Sequence, residues 1–199
     1  MIKLKEPSIV YSEIPFVAIY ENILSDSECQ QLIALAKERL KPSTVVGAAD
    51  IRKSDQAWLP HLLNETVHQI AQRIASIVNK PLTHAEQLQV VRYQVGGKFD
   101  AHYDTFSPST QLGRTYLSNG GQRIVTALLY LNSVTTGGGE TFFPSLNFEV
   151  APKEGSLLVF ENCIKNTDHP HHLSLHGSRP LTKGEKWIAT LWFREKPRH

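Results

Sequence analysis

The sequence predicts an α+β fold: a double-stranded β-helix, or jelly roll, with N-terminal helices packed on its outside. Three observations carry this reading. Residues 1–85 contain two stretches whose apolar residues recur at helical spacing. Residues 86–196 change texture, to short apolar runs punctuated by glycine and proline, as in an all-β sandwich or barrel. The last run, Lys186-Trp187-Ile188-Ala189-Thr190-Leu191-Trp192-Phe193-Arg194, has one wholly apolar face that suits packing against helices. Support and jelly roll are expected to pack together as one globular unit.

The elements follow in order. An extended lead-in over 14–20 precedes Ser25-Asp26-Ser27-Glu28, a helix capping box. The first helix carries Cys29, Leu32, Ile33, Ala36 and Leu40 on one face and stops at Pro42. A loop with a short strand candidate at Thr44-Val45-Val46 leads to a second helix over 62–79. Its stripe is Leu63, Val67, Ile70, Ile74 and Val78. His61 and His68 read as surface residues. Strands follow at 88–95 and, after Gly96-Gly97, around His102. Residues 105–122 form a long polar loop, either a lid over a groove or simple disorder. Further strands are expected at 123–134, 141–144, 147–151, 155–161, 173–176 and 187–194.

Composition narrows the function classes. The 199 residues are 41% hydrophobic and 20% charged with a net charge of +2, a balance that favours neither nucleic acid nor an anionic membrane as partner. No apolar run approaches the ~20 residues of a membrane span. The N-terminus breaks up before a signal-peptide core, and two cysteines make no disulfide framework. The expectation is a reduced, cytoplasmic protein.

Chemistry concentrates at Phe99-Asp100-Ala101-His102-Tyr103-Asp104. In a strand, His102 and Asp104 project to one side and Tyr103 to the other. This is two-thirds of a two-histidine, one-carboxylate iron site with open positions. By itself the pattern is weak. The later half offers His169, His171, His172 and His176 as the third ligand. Pro170 makes the first three a poor strand and a loop of exposed histidines. His176 closes an alternating run, with His172 as the runner-up. On the last strand, alternation puts Lys186, Thr190, Trp192 and Arg194 toward the same interior. Lys186 there either meets an anionic ligand or lies at the strand's open end in water.

The set His102-Tyr103-Asp104, Gly138-Gly139-Glu140-Thr141-Phe142-Phe143-Pro144, Leu175-His176-Gly177-Ser178-Arg179-Pro180 and Gly184-Glu185-Lys186-Trp187-Ile188-Ala189-Thr190-Leu191-Trp192 closely resembles the prolyl 4-hydroxylase branch of the Fe(II)/2-oxoglutarate-dependent dioxygenases. The similarity also takes in Leu24-Ser25-Asp26-Ser27-Glu28-Cys29 and Asp50-Ile51-Arg52-Lys53-Ser54. Lys186 follows His176 by ten residues, the family's spacing, which selects His176 among the histidines.

The resemblance implies that His102, Asp104 and His176 bind Fe(II) and that Lys186 pairs with the far carboxylate of 2-oxoglutarate. Tyr93 is implied to reach that carboxylate, with Thr141 and Thr190 lining the same pocket. Arg123 matches a position that holds peptide substrate, and Arg194 stands where the family often has histidine, a departure that touches substrate preference. Tyr103, Phe106, Tyr116 and Trp192 are candidates to line a groove for a proline-rich peptide. The implied reaction is hydroxylation of peptidyl proline at carbon 4, with dioxygen consumed and 2-oxoglutarate decarboxylated to succinate. Similarity to the small bacterial members adds homodimeric assembly, and the family raises ascorbate as an additional requirement. An oxygenase acting on a non-prolyl substrate and a non-catalytic jelly-roll binding module are the alternatives.

Overall fold

The computed structural model describes residues 6–43 and 51–198. The strand candidate at Thr44-Val45-Val46 lies outside the described residues. In chain order the elements are β1 (Ile9–Glu13), β2 (Phe16–Tyr20), α1 (Asp26–Lys37), β3 (Lys41–Pro42), β4 (Arg52–Lys53), β5 (Asp55–Leu59) and α2 (Glu65–Ile77). They continue with β6 (Leu88–Tyr93), β7 (Lys98–His102), α3 (Gln111–Leu117), β8 (Arg123–Tyr130), β9 (Thr141–Phe143) and β10 (Phe148–Val150). The last three are β11 (Leu157–Glu161), β12 (His176–Ser178) and β13 (Lys186–Arg194).

Among the described residues the strands form two antiparallel sheets. The larger runs β1-β2-β11-β8-β13-β6-β5-β3 and the smaller β10-β9-β12-β7-β4. The strands before α2 thus join the same sheets as the later half. Between the sheets lies a core of Val91, Tyr93, Leu128, Tyr130, Phe143, Phe160 and Ile188 with their neighbours. The other face of the larger sheet presents Val90, Ala127, Leu129, Trp187, Ala189, Leu191 and Phe193, which cluster with buried residues of α1 and α2. Burial on both faces is why 123–131 and 186–194 read as nearly continuous apolar runs. Each large apolar side chain withdrawn from water there contributes roughly 1.5–3 kcal/mol.

The helices form for local reasons. At α1, Ser25 accepts from the Glu28 amide and the Glu28 carboxylate accepts from the Ser25 amide at 2.9 Å, a complete capping box. Glu28 also pairs with Arg73 of α2 at 2.7 Å, tying the two helices together. Asn64 caps α2, which begins later and ends earlier than the spacing predicts.

Several expectations need correcting. The segment 105–122 is not structureless, because Thr110 accepts from the Gly113 amide and starts α3. Its exposed Leu112 and Tyr116 leave no apolar stripe to reveal it. The strand expected over 173–176 is a 3-10 turn, His172–Ser174, so His176 opens β12 rather than closing a run. The strand from Arg123 ends at Tyr130. The lead-in over 14–20 contains β2, β1 lies ahead of it in a stretch given no element, and β5 falls in a stretch read as loop. His61 is half-buried with Nε2 at 2.7 Å from the Glu86 carbonyl, and His171 is buried, so neither is a plain surface residue.

Candidate active site

Strand pairing brings the histidines together. β12 pairs with β7 so that His176 faces His102, and their rings lie 4.5 Å apart. Gly177 lets β12 sit this close, since a Cβ there would meet the Phe142 ring and the Phe99 carbonyl, each at 2.7 Å. Asp104 follows two residues after His102, and Thr126 of β8 donates to its Oδ2 at 2.6 Å. Asn162 in turn donates to Thr126 at 2.8 Å, so the carboxylate is aimed by a buried chain of hydrogen bonds.

One ligand atom each of His102, Asp104 and His176 lies within 4.8 Å of the others. His102 Nε2 is 3.6 Å from Asp104 Oδ1 and His176 Nε2 is 3.7 Å from Asp104 Oδ2, too long for hydrogen bonds. A common ion fits the gap better than mutual contact. The imidazoles are also set for it. His102 Nδ1 lies 2.8 Å from the Asp100 carbonyl and His176 Nδ1 2.9 Å from the Ser174 carbonyl. Those carbonyls fix the proton on Nδ1 and leave both Nε2 lone pairs facing the gap.

Electrostatics agree. Burial alone would raise the Asp104 carboxyl, but His176, His102 and Arg123 more than offset it and hold it well below the usual carboxylate range. Burial lowers His176 to about 4, although Asp104 opposes this. At neutral pH the cluster is an anion beside a neutral imidazole lone pair, which needs no deprotonation to bind a cation. Two imidazole nitrogens and one carboxylate with open positions suit Fe(II).

A cavity of about 450 Å³, counting its open mouth, runs from this cluster between the sheets. Lys186 closes its inner end, 1% exposed, with Nζ donating to Ser178 Oγ at 2.9 Å and lying 5.1 Å from the centre of the Tyr93 ring. Burial pushes the Lys186 ammonium down to about 7, with Glu140 opposing only weakly enough to leave it there. No carboxylate lies within ion-pair distance among the described residues. Tyr93, Thr141 and Thr190 line the same space, and Thr141 accepts from the Tyr130 hydroxyl at 2.9 Å.

The outer residues are placed differently. Trp192 is on the cavity wall, its buried Nε1–H without an acceptor among the described residues, and its ring lies 6.1 Å from that of Trp58. Tyr103 is 40% exposed, with its hydroxyl 3.3 Å from the His172 carbonyl. Arg123 is occupied by Glu86, to which it donates twice at 2.7 Å, and it stacks on Trp192 at 3.9 Å. Arg194 is buried against Glu86 at 2.8 Å and does not line the cavity. Phe106 packs on Tyr116 and lies beneath the two arginines.

Sequence reasoning did not single out Thr126, Ser178, Asn162 or Glu86, and it quoted Arg52 only within a motif. Arg52 lines the cavity and interacts with the Tyr93 hydroxyl. Thr126 lies inward on β8 by the same alternation that puts Leu128 and Tyr130 in the inter-sheet core, which is the signal that could have found it.

The family described as the 2OG-Fe(II) oxygenase superfamily matches residues 88–194. The chain belongs to this superfamily. A mimivirus relative from Acanthamoeba polyphaga mimivirus, provisionally named a prolyl 4-hydroxylase, is 40% identical over 184 residues, covering 92% of this chain and 74% of that one. Prolyl 4-hydroxylase 5 of Arabidopsis thaliana is 37% identical over 205 residues, 90% of this chain and 68% of that one. In three dimensions, viral collagen prolyl hydroxylase from Paramecium Bursaria Chlorella virus-1, solved with 2-oxoglutarate, superposes with a TM-score of 0.73 at 29% identity. The match covers 89% of this chain and 95% of that one. This oxygenase therefore has the jelly-roll architecture of a prolyl 4-hydroxylase-like, 2-oxoglutarate-dependent enzyme.

Proposed function

We propose that this oxygenase hydroxylates peptidyl proline at carbon 4, converting 2-oxoglutarate to succinate. The observation that carries the reading is one cavity lined by both a His-Asp-His cluster and a buried ammonium that has no carboxylate within ion-pair distance among the described residues. His102, Asp104 and His176 would hold Fe(II), which would bring together dioxygen as the oxidant and 2-oxoglutarate as the two-electron reductant, so that one oxygen atom enters the C–H bond and the other enters succinate as carbon dioxide leaves. Lys186, which donates to Ser178 Oγ, would pair with the far carboxylate of the cosubstrate, and Tyr93, Thr141 and Thr190 would shape the pocket. The carbonyls behind His102 and His176 keep the ligating nitrogens free, and Thr126 keeps Asp104 aimed.

The wall above the cluster suits a proline-rich chain. Trp192 contributes apolar ring surface to the cavity wall, and the half-exposed Trp58 ring lies 6.1 Å from it. A polyproline segment is already extended, so docking it costs little conformational entropy. The buried free thiols Cys29 and Cys163 support a reducing, cytoplasmic setting. Homodimeric assembly and a requirement for ascorbate rest on the family resemblance.

The test is succinate formation by the purified protein with Fe(II), 2-oxoglutarate and a short proline-rich peptide, against a no-peptide control and His176→Ala. Peptide-dependent turnover that the variant abolishes supports the reading. Turnover indifferent to the peptide would keep the oxygenase and remove the proline substrate.

A further inference from the structure

Between the metal ligand Asp104 and strand β8, the chain leaves the sheets for residues 106–121 and returns. Its base is closed by Gln122, whose buried side-chain amide accepts from the Phe106 amide at 2.7 Å and donates to the Phe106 carbonyl at 2.9 Å. Within the excursion, α3 ends beside the last residue of β13. There the Arg194 guanidinium donates through Nη2 to the carbonyls of Tyr116 and Asn119, the latter at 2.9 Å. Through Nη1 it donates to Glu86 at 2.8 Å. Arg194 is 3% exposed, so these contacts are shielded from water and Arg194 itself does not reach the cavity.

Glu86 is shared. Its carboxylate also accepts both Arg123 bonds, and Arg123 stacks on Trp192 of the cavity wall with Nη1 3.5 Å from the Asp104 carbonyl. Phe106 lies under both guanidiniums, 4.6 Å from Arg123 and 4.7 Å from Arg194. One buried cluster therefore touches the C-terminal end of α3, the aromatic wall and the backbone of a metal ligand. The two arginines tolerate one another only because Glu86 lies between them.

We infer that Arg194 is a positioning residue for peptide recognition: it fastens the 106–121 excursion to the sheet and, through Glu86, sets Arg123 against Trp192. The family often carries histidine here, as noted above. A histidine has too few donors to serve Glu86 and two carbonyls at once, whereas arginine has five in a fixed fork. The inference rests on the peptide reading for its consequence but not for its structural part.

The two parts are separable by experiment. Arg194→Lys keeps the charge opposite Glu86 but has one nitrogen for three acceptors, and Arg194→Met removes the charge. Amide hydrogen exchange of the metal- and 2-oxoglutarate-loaded protein is the first readout, and it needs no peptide. Residues 107–120 are expected to exchange about tenfold faster in Arg194→Lys, with β12 and β13 unchanged. If Arg194→Met does not fold, Arg194→Lys alone carries the test. The second readout is steady-state kinetics, where the KM for peptide is expected to rise about tenfold while the KM for 2-oxoglutarate stays within about twofold. Unchanged exchange over 107–120 would overturn the fastening role of Arg194. Equal losses for peptide and 2-oxoglutarate would overturn the assignment to peptide recognition. Absence of peptide-dependent turnover in the unaltered protein would instead count against the proposed function.

Discussion

Replacing Lys186 with methionine tests the cosubstrate pocket at its most costly residue. The ammonium is 1% exposed and burial moves it from 10.5 to about 7. Each unit is worth ~1.4 kcal/mol, so the folded protein without an anion carries about 5 kcal/mol against the charged form. A dianionic cosubstrate removes that penalty by pairing with it. Removing the lysine leaves a buried carboxylate unpaired, which costs about 3 kcal/mol and weakens 2-oxoglutarate binding by roughly two orders of magnitude. The pH dependence has a definite direction. Below about pH 7 the lysine is already charged, so affinity is level; above it, binding must draw in a proton, and affinity falls up to about tenfold per unit. Stability runs the other way. The unfolded chain holds more protons than the folded one between about pH 7 and 10.5, so the cost of Lys186 is full at the lower end and fades toward the upper. Lys186→Met is accordingly expected to melt higher than the parent near pH 7 and to lose that advantage as pH rises. Anaerobic titration calorimetry with Mn(II) in the metal site, run from pH 6 to about 9 in two buffers, counts both affinity and protons. A level affinity from pH 7 upward without proton uptake, or unaltered binding by Lys186→Met, would refute this reasoning.

Three further outcomes follow from the geometry. Thr126→Val removes the donor to Asp104 Oδ2 and the acceptor of buried Asn162, so metal affinity measured by Co(II) absorption is expected to fall about 10- to 100-fold and the metal-free protein to lose about 1–3 kcal/mol of stability. Gly177→Ala places a methyl against the Phe142 ring and the Phe99 carbonyl, so it is expected to part β12 from β7 and β9 and to weaken metal binding more than Thr126→Val does. Glu28→Gln removes the charge that serves both the capping box and Arg73. It is expected to cost about 1 kcal/mol at pH 7 by urea denaturation. Since Glu28 is held at about 2 rather than 4.5, that difference is full above about pH 4.5 and disappears as pH falls toward 2.

The parts of the fold legible in the sequence were those with a period. Cys29, Leu32 and Ile33, or Val67, Ile70 and Ile74, declare helices because one face must be buried. Alternation along β13 separates Lys186 and Trp192 on the cavity side from Trp187 and Phe193 on the helix side, and the two cores divide along that line. Elements without such a stripe were missed. α3 is capped by one threonine and exposes its apolar residues, and β5 alternates over five residues in what reads as a loop. His176 illustrates a different limit. Its strand position came from alternation through Leu173 and Leu175, yet those residues belong to a turn and its end, and the motif spacing rather than the local pattern identified the histidine. Contacts such as Glu86 with Arg123 and Arg194, or Thr126 with Asp104, join distant charges and hydroxyls that no local pattern relates.

The most direct measurement of the central claim is the fate of the oxygen atom. A short peptide with proline is incubated with the protein, Fe(II), 2-oxoglutarate and isotopically labelled dioxygen, then sequenced by mass spectrometry and hydrolysed for amino-acid analysis. The expected result is one labelled oxygen on proline, recovered as 4-hydroxyproline in step with succinate. Succinate formed without labelled proline, or label on another residue, would contradict the account.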